Sequence, residues 1–344
     1  MKRNRLYFLA WRAARSLPSR ERDVDGAWER VRPRRRRLAL QLARYAAAVA
    51  VVAGVAIPAW FHFSREGVAI VTTAGPARPE FVLPGGERIL LDAAGERQAS
   101  ELVGVRFAPD SARGLTRLDA RPSGKRDSSS YHQLNIPKGC EYVLRLPDGS
   151  LAWLNSETTL RFPLAFAGGD RTVYLEGEAY FEVTHDESAP FRVVCGEKVV
   201  TVLGTRFNVS AYADDPAWHA TLVEGSVLVS CRGVERELSP SRQCAIDNAT
   251  GEMTVTTVET SLYTSWMDEQ VYFKGSTLEE IVKKLSRWYD FSIAYEDEEI
   301  KTLKFRGGIN KNRPLEETLR HLEGTTDISF IVDGKRVTAR KARN

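Results

Sequence analysis

The sequence predicts a single-span membrane protein. Its outer part is an all-β body, stacked or rolled, followed by a small α+β module. Three observations predict this. An apolar run extends from Tyr45 to Phe63, strand-type alternation dominates from Tyr131 to about Val258, and helix and strand patterns mix from Trp266 onward. The chain then divides into residues 1–44, a basic tail, and 45–63, a transmembrane helix. Residues 64–130 form a β-rich segment with a mobile linker, 131–260 the all-β domain and 266–340 the α+β domain.

The apolar run is interrupted by Pro58 and His62 alone and is bounded by Arg44 and Arg65. Its 19 residues suffice for one crossing, since a bilayer core takes roughly 20 helical residues. Arg32, Arg34, Arg35, Arg36, Arg37 and Arg44 precede it. Such a cluster is retained in the cytoplasm, so the N-terminus is read as inside and the C-terminus as outside. Trp60, Phe61 and Phe63 lie at the far end, where aromatic rings favour the headgroup layer. A cleaved signal peptide fits less well, because the run is long, starts deep in the chain and has no A-x-A site after it. A buried soluble helix fits less well too, because the run lacks a polar face.

The 344 residues suggest about two or three domains. Residues 1–44 carry 14 Lys/Arg against 4 Asp/Glu, a net of +10, so the rest of this +4 chain is −6. The basic excess therefore belongs to the tail, where nucleic acid, anionic lipid or an acidic protein surface could meet it, lipid being the simplest. Cys140, Cys195, Cys231 and Cys244 all lie beyond the span. Four cysteines permit two disulfides in three connectivities; the alternative is four buried small apolar side chains.

In the tail, Leu6, Phe8, Leu9, Ala13 and Leu17 could form one helical face ended by Pro18, and a second short helix could carry Trp28. Trp11 and Trp28 are exposed-prone in a tail too short for a core, so they anchor a partner or lie on the membrane. Residues 68–127 read as strand and turn. Residues 74–93 align with 137–156 at an offset of 63, each copy placing Leu-Pro-x-Gly between two apolar alternations. These are two β-hairpins of one design, which fits a stacked body. From Tyr131 to Val258, short alternating strands are separated by glycine turns, and no segment makes a good helix.

After Trp266 the order is β-α-β-β-α-β with a final strand. Ser276 or Thr277 caps the first helix, whose stripe is Leu278, Ile281, Val282 and Leu285. Pro314 opens the second helix, Gly324 stops it, and Ile328–Val332 with Arg336–Ala339 forms a terminal hairpin.

Catalytic signatures are missing. The five histidines are scattered without metal-ligand spacing. No Gly-rich loop precedes a helix, and no G-x-S-x-G elbow occurs. The sequence therefore points to neither an enzyme, a metal nor a cofactor.

Several motifs do carry a resemblance. They are Asn135-Ile-Pro-Lys-Gly139, Leu146-Pro-Asp-Gly149, Ala152-Trp-Leu-Asn155, Leu175-Glu-Gly-Glu-Ala-Tyr-Phe-Glu-Val183, Val202-Leu-Gly-Thr-Arg-Phe-Asn-Val209 and Leu222-Val-Glu-Gly-Ser226. In order and spacing the chain resembles the FecR family of transmembrane anti-sigma factors, in the form typical of Bacteroidetes. Residues 268–340 look like the domain that follows FecR there, itself similar to the short N-terminal signalling domain of secretins and TonB-dependent receptors. The resemblance implies an inner-membrane relay. An outer-membrane TonB-dependent transducer, sensing an iron chelate or a glycan, would touch the periplasmic part through its signalling domain. The cytoplasmic tail would then control an extracytoplasmic-function (ECF) sigma factor, with Trp11 and Trp28 as the sigma-binding candidates. Membrane lipid is a further partner, and direct contact with nucleic acid is not implied. The tail departs from the family, in which it is usually longer and carries a helical acidic stretch. That departure favours a rival reading, a membrane-anchored periplasmic scaffold or glycan-binding module without signalling output.

Two site expectations complete the reading. Some proteins of this family cleave themselves at a Gly-Thr bond, here Gly204-Thr205. The Thr hydroxyl would attack the Gly carbonyl, and the small Gly would leave room for the shift to an ester. The plainer reading is a turn with a structural Gly and a hydrogen-bonding Thr. The terminal hairpin offers an edge to which a partner strand can add, so Ile328, Phe330, Val332 and Val337 are candidates for docking the transducer.

Overall fold

Leu-Pro-x-Gly turns set the local geometry of the body in both copies. In the first, Phe81 pairs with Ile89; in the second, Leu144 pairs with Ala152, each position shifted by 63. The turn hydrogen bonds match as well: Leu83 N to Glu87 O at 2.9 Å, and Leu146 N to Ser150 O at 2.8 Å. The computed structural model that shows this describes residues 77–110, 115–120, 130–167 and 169–342. The basic tail with Trp11 and Trp28, and the apolar run, lie outside the described residues. Among the described residues no helix is long and apolar enough to cross a membrane.

Among the described residues, seventeen strands hydrogen-bond into one system that folds into two layers. The first layer runs β2 (Arg88–Leu90), β1 (Glu80–Val82), β5 (Tyr131–Ile136), β8 (Thr158–Pro163), β9 (Arg171–Glu182), β10 (Phe191–Cys195), β11 (Lys198–Val202), β14 (Val227–Cys231) and β15 (Val234–Leu238). The second runs β3 (Arg106–Asp110), β4 (Leu115–Asp119), β6 (Tyr142–Arg145), β7 (Leu151–Leu154), β9 again, β12 (Arg206–Ala211), β13 (Ala217–Glu224), β16 (Arg242–Asp247) and β17 (Met253–Thr257). Successive hairpins from β10 onward fall alternately in the two layers.

β9 joins the layers. Its first half pairs with β8 and β10, its second half with β7 and β12. Gly177 stands at the corner with φ +99°, and a Cβ there would lie 2.6 Å from Thr158 Oγ1 and 2.7 Å from Glu157 O. Only glycine allows this bend and this close approach of β9 to β8.

One element departs from expectation. Within the segment read as strand and turn, Ala93–Val103 is a helix, α1. The cause is local: it is built mainly of helix formers, Asp92 accepts from Ala94 N and Gly95 N, and Gly104 closes it at φ 76°. Phe81, Ile89, Ala99 and Leu118 share one apolar core with Leu134, Phe181 and Phe207, so β1, β2, α1 and β4 pack with the body. Cys195, Cys231 and Cys244 are buried free thiols and Cys140 is a partly buried one. Burial pushes the Cys195 thiol up to about 12.

The C-terminal module comprises β18 (Gln270–Thr277), α3 (Leu278–Tyr289), β19 (Ser292–Tyr295), β20 (Lys304–Asn310), α4 (Leu315–Glu323), β21 (Ile328–Asp333) and β22 (Arg336–Lys341). A single helical turn, α2 (Ser261–Thr264), lies in the connection that precedes it. Thr277 and Glu280 form a reciprocal capping box at α3. β18 pairs with β20, while β22 lies between β19 and β21. Leu278, Ile281, Val282 and Leu285 meet Leu319, Leu322 and Val337 in a core of the module's own.

Candidate functional site

The corner at Gly177 delivers Glu178 to the face where body and C-terminal module meet. There Glu178 accepts from Asn155 Nδ2 at 2.8 Å and from Asn208 Nδ2 at 2.9 Å, one amide per carboxylate oxygen. Each asparagine is held by a tryptophan from beyond the body. Trp288 Nε1, on α3, donates to Asn155 Oδ1 at 3.2 Å; Trp266 Nε1, in the connection, donates to Asn208 Oδ1 at 3.0 Å. An indole N–H can only donate, so both amides are fixed with their NH2 groups toward Glu178. Both carboxylate oxygens must accept, as an ionised carboxylate does. Burial pushes the Glu178 carboxyl above the usual range, against the Lys284 charge and the two amide donors.

Charge pairing surrounds this chain of hydrogen bonds. Arg287, buried on α3, donates to Asp214 Oδ1 at 2.7 Å and Asp215 Oδ1 at 2.8 Å. Its guanidinium lies 3.6 Å from the Tyr212 ring centroid, a close cation–π contact. Lys283 Nζ reaches Asp215 Oδ1 at 2.8 Å, and Lys311 Nζ bonds Glu141 Oε1 and the Trp266 carbonyl. Gly139, from Asn135–Gly139, donates its N–H to Arg287 O at 2.8 Å. A small apolar cluster of Val143, Trp153, Tyr180 and Trp266 backs the junction. The void among Asn155, Glu178, Tyr212, Arg287 and Trp288 is about 10 Å³, room for a single water at most. The site joins two folded parts; it is not a ligand pocket.

No sequence pattern marks these residues as a site, although Asn155, Glu178 and Asn208 lie inside the FecR-like motifs. The available signal was a polar residue inside an apolar strand: Asn208, between Phe207 and Val209, is 2 % exposed.

Gly204 and Thr205 line an open cleft of about 380 Å³ at another edge of the body, with His185, Arg206, Glu224 and Gly225. Thr205 is buried and donates from Oγ1 to Ser226 O at 2.9 Å. A Cβ on Gly204 would lie 2.5 Å from His185 Cα, so this position requires glycine. Arg171 fixes the loop, donating to Leu203 O at 3.2 Å, Thr184 O at 2.8 Å and Asp148 Oδ2 at 2.8 Å.

The hairpin candidates separate. Val337 is fully buried on β22, which is paired on both sides. Its main chain is already committed, so it offers no edge. Ile328, Phe330 and Val332 lie on β21, an edge strand. Phe330 N–H is bonded by Glu323 Oε1 at 2.6 Å, so it points away from β22, and alternation turns Ile328 and Val332 the same way. Ile328 is buried by its side chain; Val332 is 36 % exposed.

Comparison with known proteins places these features. The family model described as "FecR protein" matches residues 132–228, and that described as "FecR, C-terminal" matches residues 270–339. Two crystal structures of a candidate anti-sigma factor from Parabacteroides distasonis ATCC 8503, at 1.65 and 2.50 Å, each match with TM-score 0.57 and 28% identity. They cover 61% and 62% of this chain and 99% and 100% of the matched chains. No curated protein matches the sequence. The two family regions, in this order, are the two parts that the junction locks together, and the chain belongs to the FecR family.

Proposed function

We propose that this chain carries a signal across the inner membrane, from a TonB-dependent outer-membrane transducer to a cytoplasmic ECF sigma factor. The family supports a regulatory role toward sigma factors. One observation carries the finer reading: both FecR regions stand on the far side of a 19-residue apolar run from a tail of net charge +10. That arrangement gives the β body and the C-terminal module a periplasmic position and leaves the tail with Trp11 and Trp28 inside. The exposed edge of β21 is the place where an extended transducer segment would add.

The test is capture of sigma factors from the same organism by the full-length chain in detergent. Retention of one ECF sigma factor, reduced at least tenfold by Trp11→Ala or Trp28→Ala, is the expected result. Equal retention by wild type and both variants would remove the tryptophans from the contact. No retention at all, alongside binding of a transducer signalling domain, would leave a periplasmic receptor-side module.

A further inference from the structure

The two apolar cores of the described region do not merge. One belongs to the body and the other to the C-terminal module. What spans them is a small aromatic cluster and a set of polar contacts whose charges are segregated by side. The carboxylates Glu141, Glu157, Asp214 and Asp215 all come from the body; the cations Lys283, Arg287 and Lys311 all come from the module. A contact built this way differs physically from a core. Its groups recover hydrogen bonds from water when they part, and its attraction weakens with salt. The connection between β17 and β18 has two parts: Ser261–Thr264 makes one helical turn without a side-chain cap and with no buried residue, whereas Ser265 and Trp266 after it are buried.

We propose that the junction is a reversible latch: the C-terminal module parts from the β body as a folded unit, and Arg287 is the residue that holds it closed. Arg287 earns this place by geometry. It contacts Asp214, Asp215, Glu157 and the Tyr212 ring with its guanidinium, and Gly139 with its carbonyl oxygen. Opening uncovers Glu178 and Asn155 on the body and Trp288 on the module; Trp266, in the connection, faces Asn208 where the connection meets the body. The inference concerns the fold alone and stands whether or not the tail binds a sigma factor.

Hydrogen exchange of the full-length chain, resolved by mass spectrometry, tests it. The reporter is the segment containing Gly139, whose amide is bonded only across the latch. Raising salt from about 0.1 M to about 1 M shortens the screening length from about 10 to about 3 Å. Exchange of this segment should rise at least tenfold, with β10–β11 and β21–β22 unchanged. Arg287→Gln should produce the same local rise at low salt. Where that variant fails to fold, Lys311→Gln and the wild-type salt series decide the matter. Exchange that does not respond to salt, or that rises equally in both cores, would overturn the latch.

Discussion

Single residues in this protein do work that their types alone would not suggest. Gly177 lets β9 change layers, and in doing so sets the position of Glu178. Alanine there would meet Thr158 Oγ1 at 2.6 Å and Glu157 O at 2.7 Å in a backbone of φ +99°. Strain of this kind costs about 1–3 kcal/mol before any clash is relieved, so Gly177→Ala should lower the thermal midpoint of the body by several degrees. A melt unchanged from wild type would show that β9 can bend without glycine. Thr205 is the second such residue. Its hydroxyl is directed at the Ser226 carbonyl, the hydrogen-bonding arrangement of a structural turn. Self-cleavage would require that proton to pass to the Thr205 nitrogen as the acyl group moves to Oγ1, and water then to hydrolyse the ester, freeing the Gly204 carboxylate and the Thr205 hydroxyl. If the bond does cleave, a denaturing gel shows fragments of roughly 23 and 16 kDa from the 38.5 kDa chain, and Thr205→Ala abolishes them. A single full-length band from both proteins assigns Thr205 to the turn alone, where its loss should cost about 1 kcal/mol.

At the scale of elements, what was legible follows from which forces act locally. The paired hairpins could be read because turn chemistry and alternation are properties of adjacent residues, and the structure reproduces their register at the same offset. The start of α3 could be read for the same reason, as Ser276 or Thr277; the structure selects Thr277 and adds the reciprocal bond of Glu280, three residues on. Helix α1 was missed because apolar alternation on either side of it outweighed the helix formers inside it. The two faces of the terminal hairpin were not separable in sequence, since strand order depends on β19, some forty residues away. That order redirects the docking experiment. Proline at Val337 would break the central strand, whereas Val332 presents an outward N–H on the edge. Val332→Pro removes that donor and leaves the ladder to β22 intact. It should weaken a transducer segment that adds to β21 about tenfold, with the melt of the module unchanged. Undiminished affinity in the folded variant would exclude β21 as the docking edge. Glu323, which occupies the Phe330 N–H, already blunts part of this edge against indiscriminate pairing.

At the scale of the whole described region, two independent cores meet through paired charges, and this joint was beyond sequence reading. Asn155, Glu178, Asn208 and Trp288 are spread over more than a hundred residues, and no local pattern brings them together. The joint also fixes how the protein should respond to acid. Burial alone would raise the Asp214 carboxyl, but its hydrogen bond to Lys283 and the charges of Arg287 and Lys283 outweigh that and hold it below 3.8. Asp215 and Glu157 face the same cations. With the module docked, Asp214 binds a proton less readily than when released, so its contribution is complete above about pH 4 and is lost as pH falls through the lower docked value. Because Asp214 is 65% exposed, this contribution is about 0.5–1 kcal/mol at most. Exchange at the Gly139 segment should therefore accelerate in the wild type as pH falls below about 4, after correction for intrinsic rates. Asp214→Asn should exchange faster at neutral pH and show a smaller acid response. Identical pH dependence in the two proteins would mean that Asp214 does not titrate with docking, and the closing force would then rest on Arg287 with Asp215 and Tyr212.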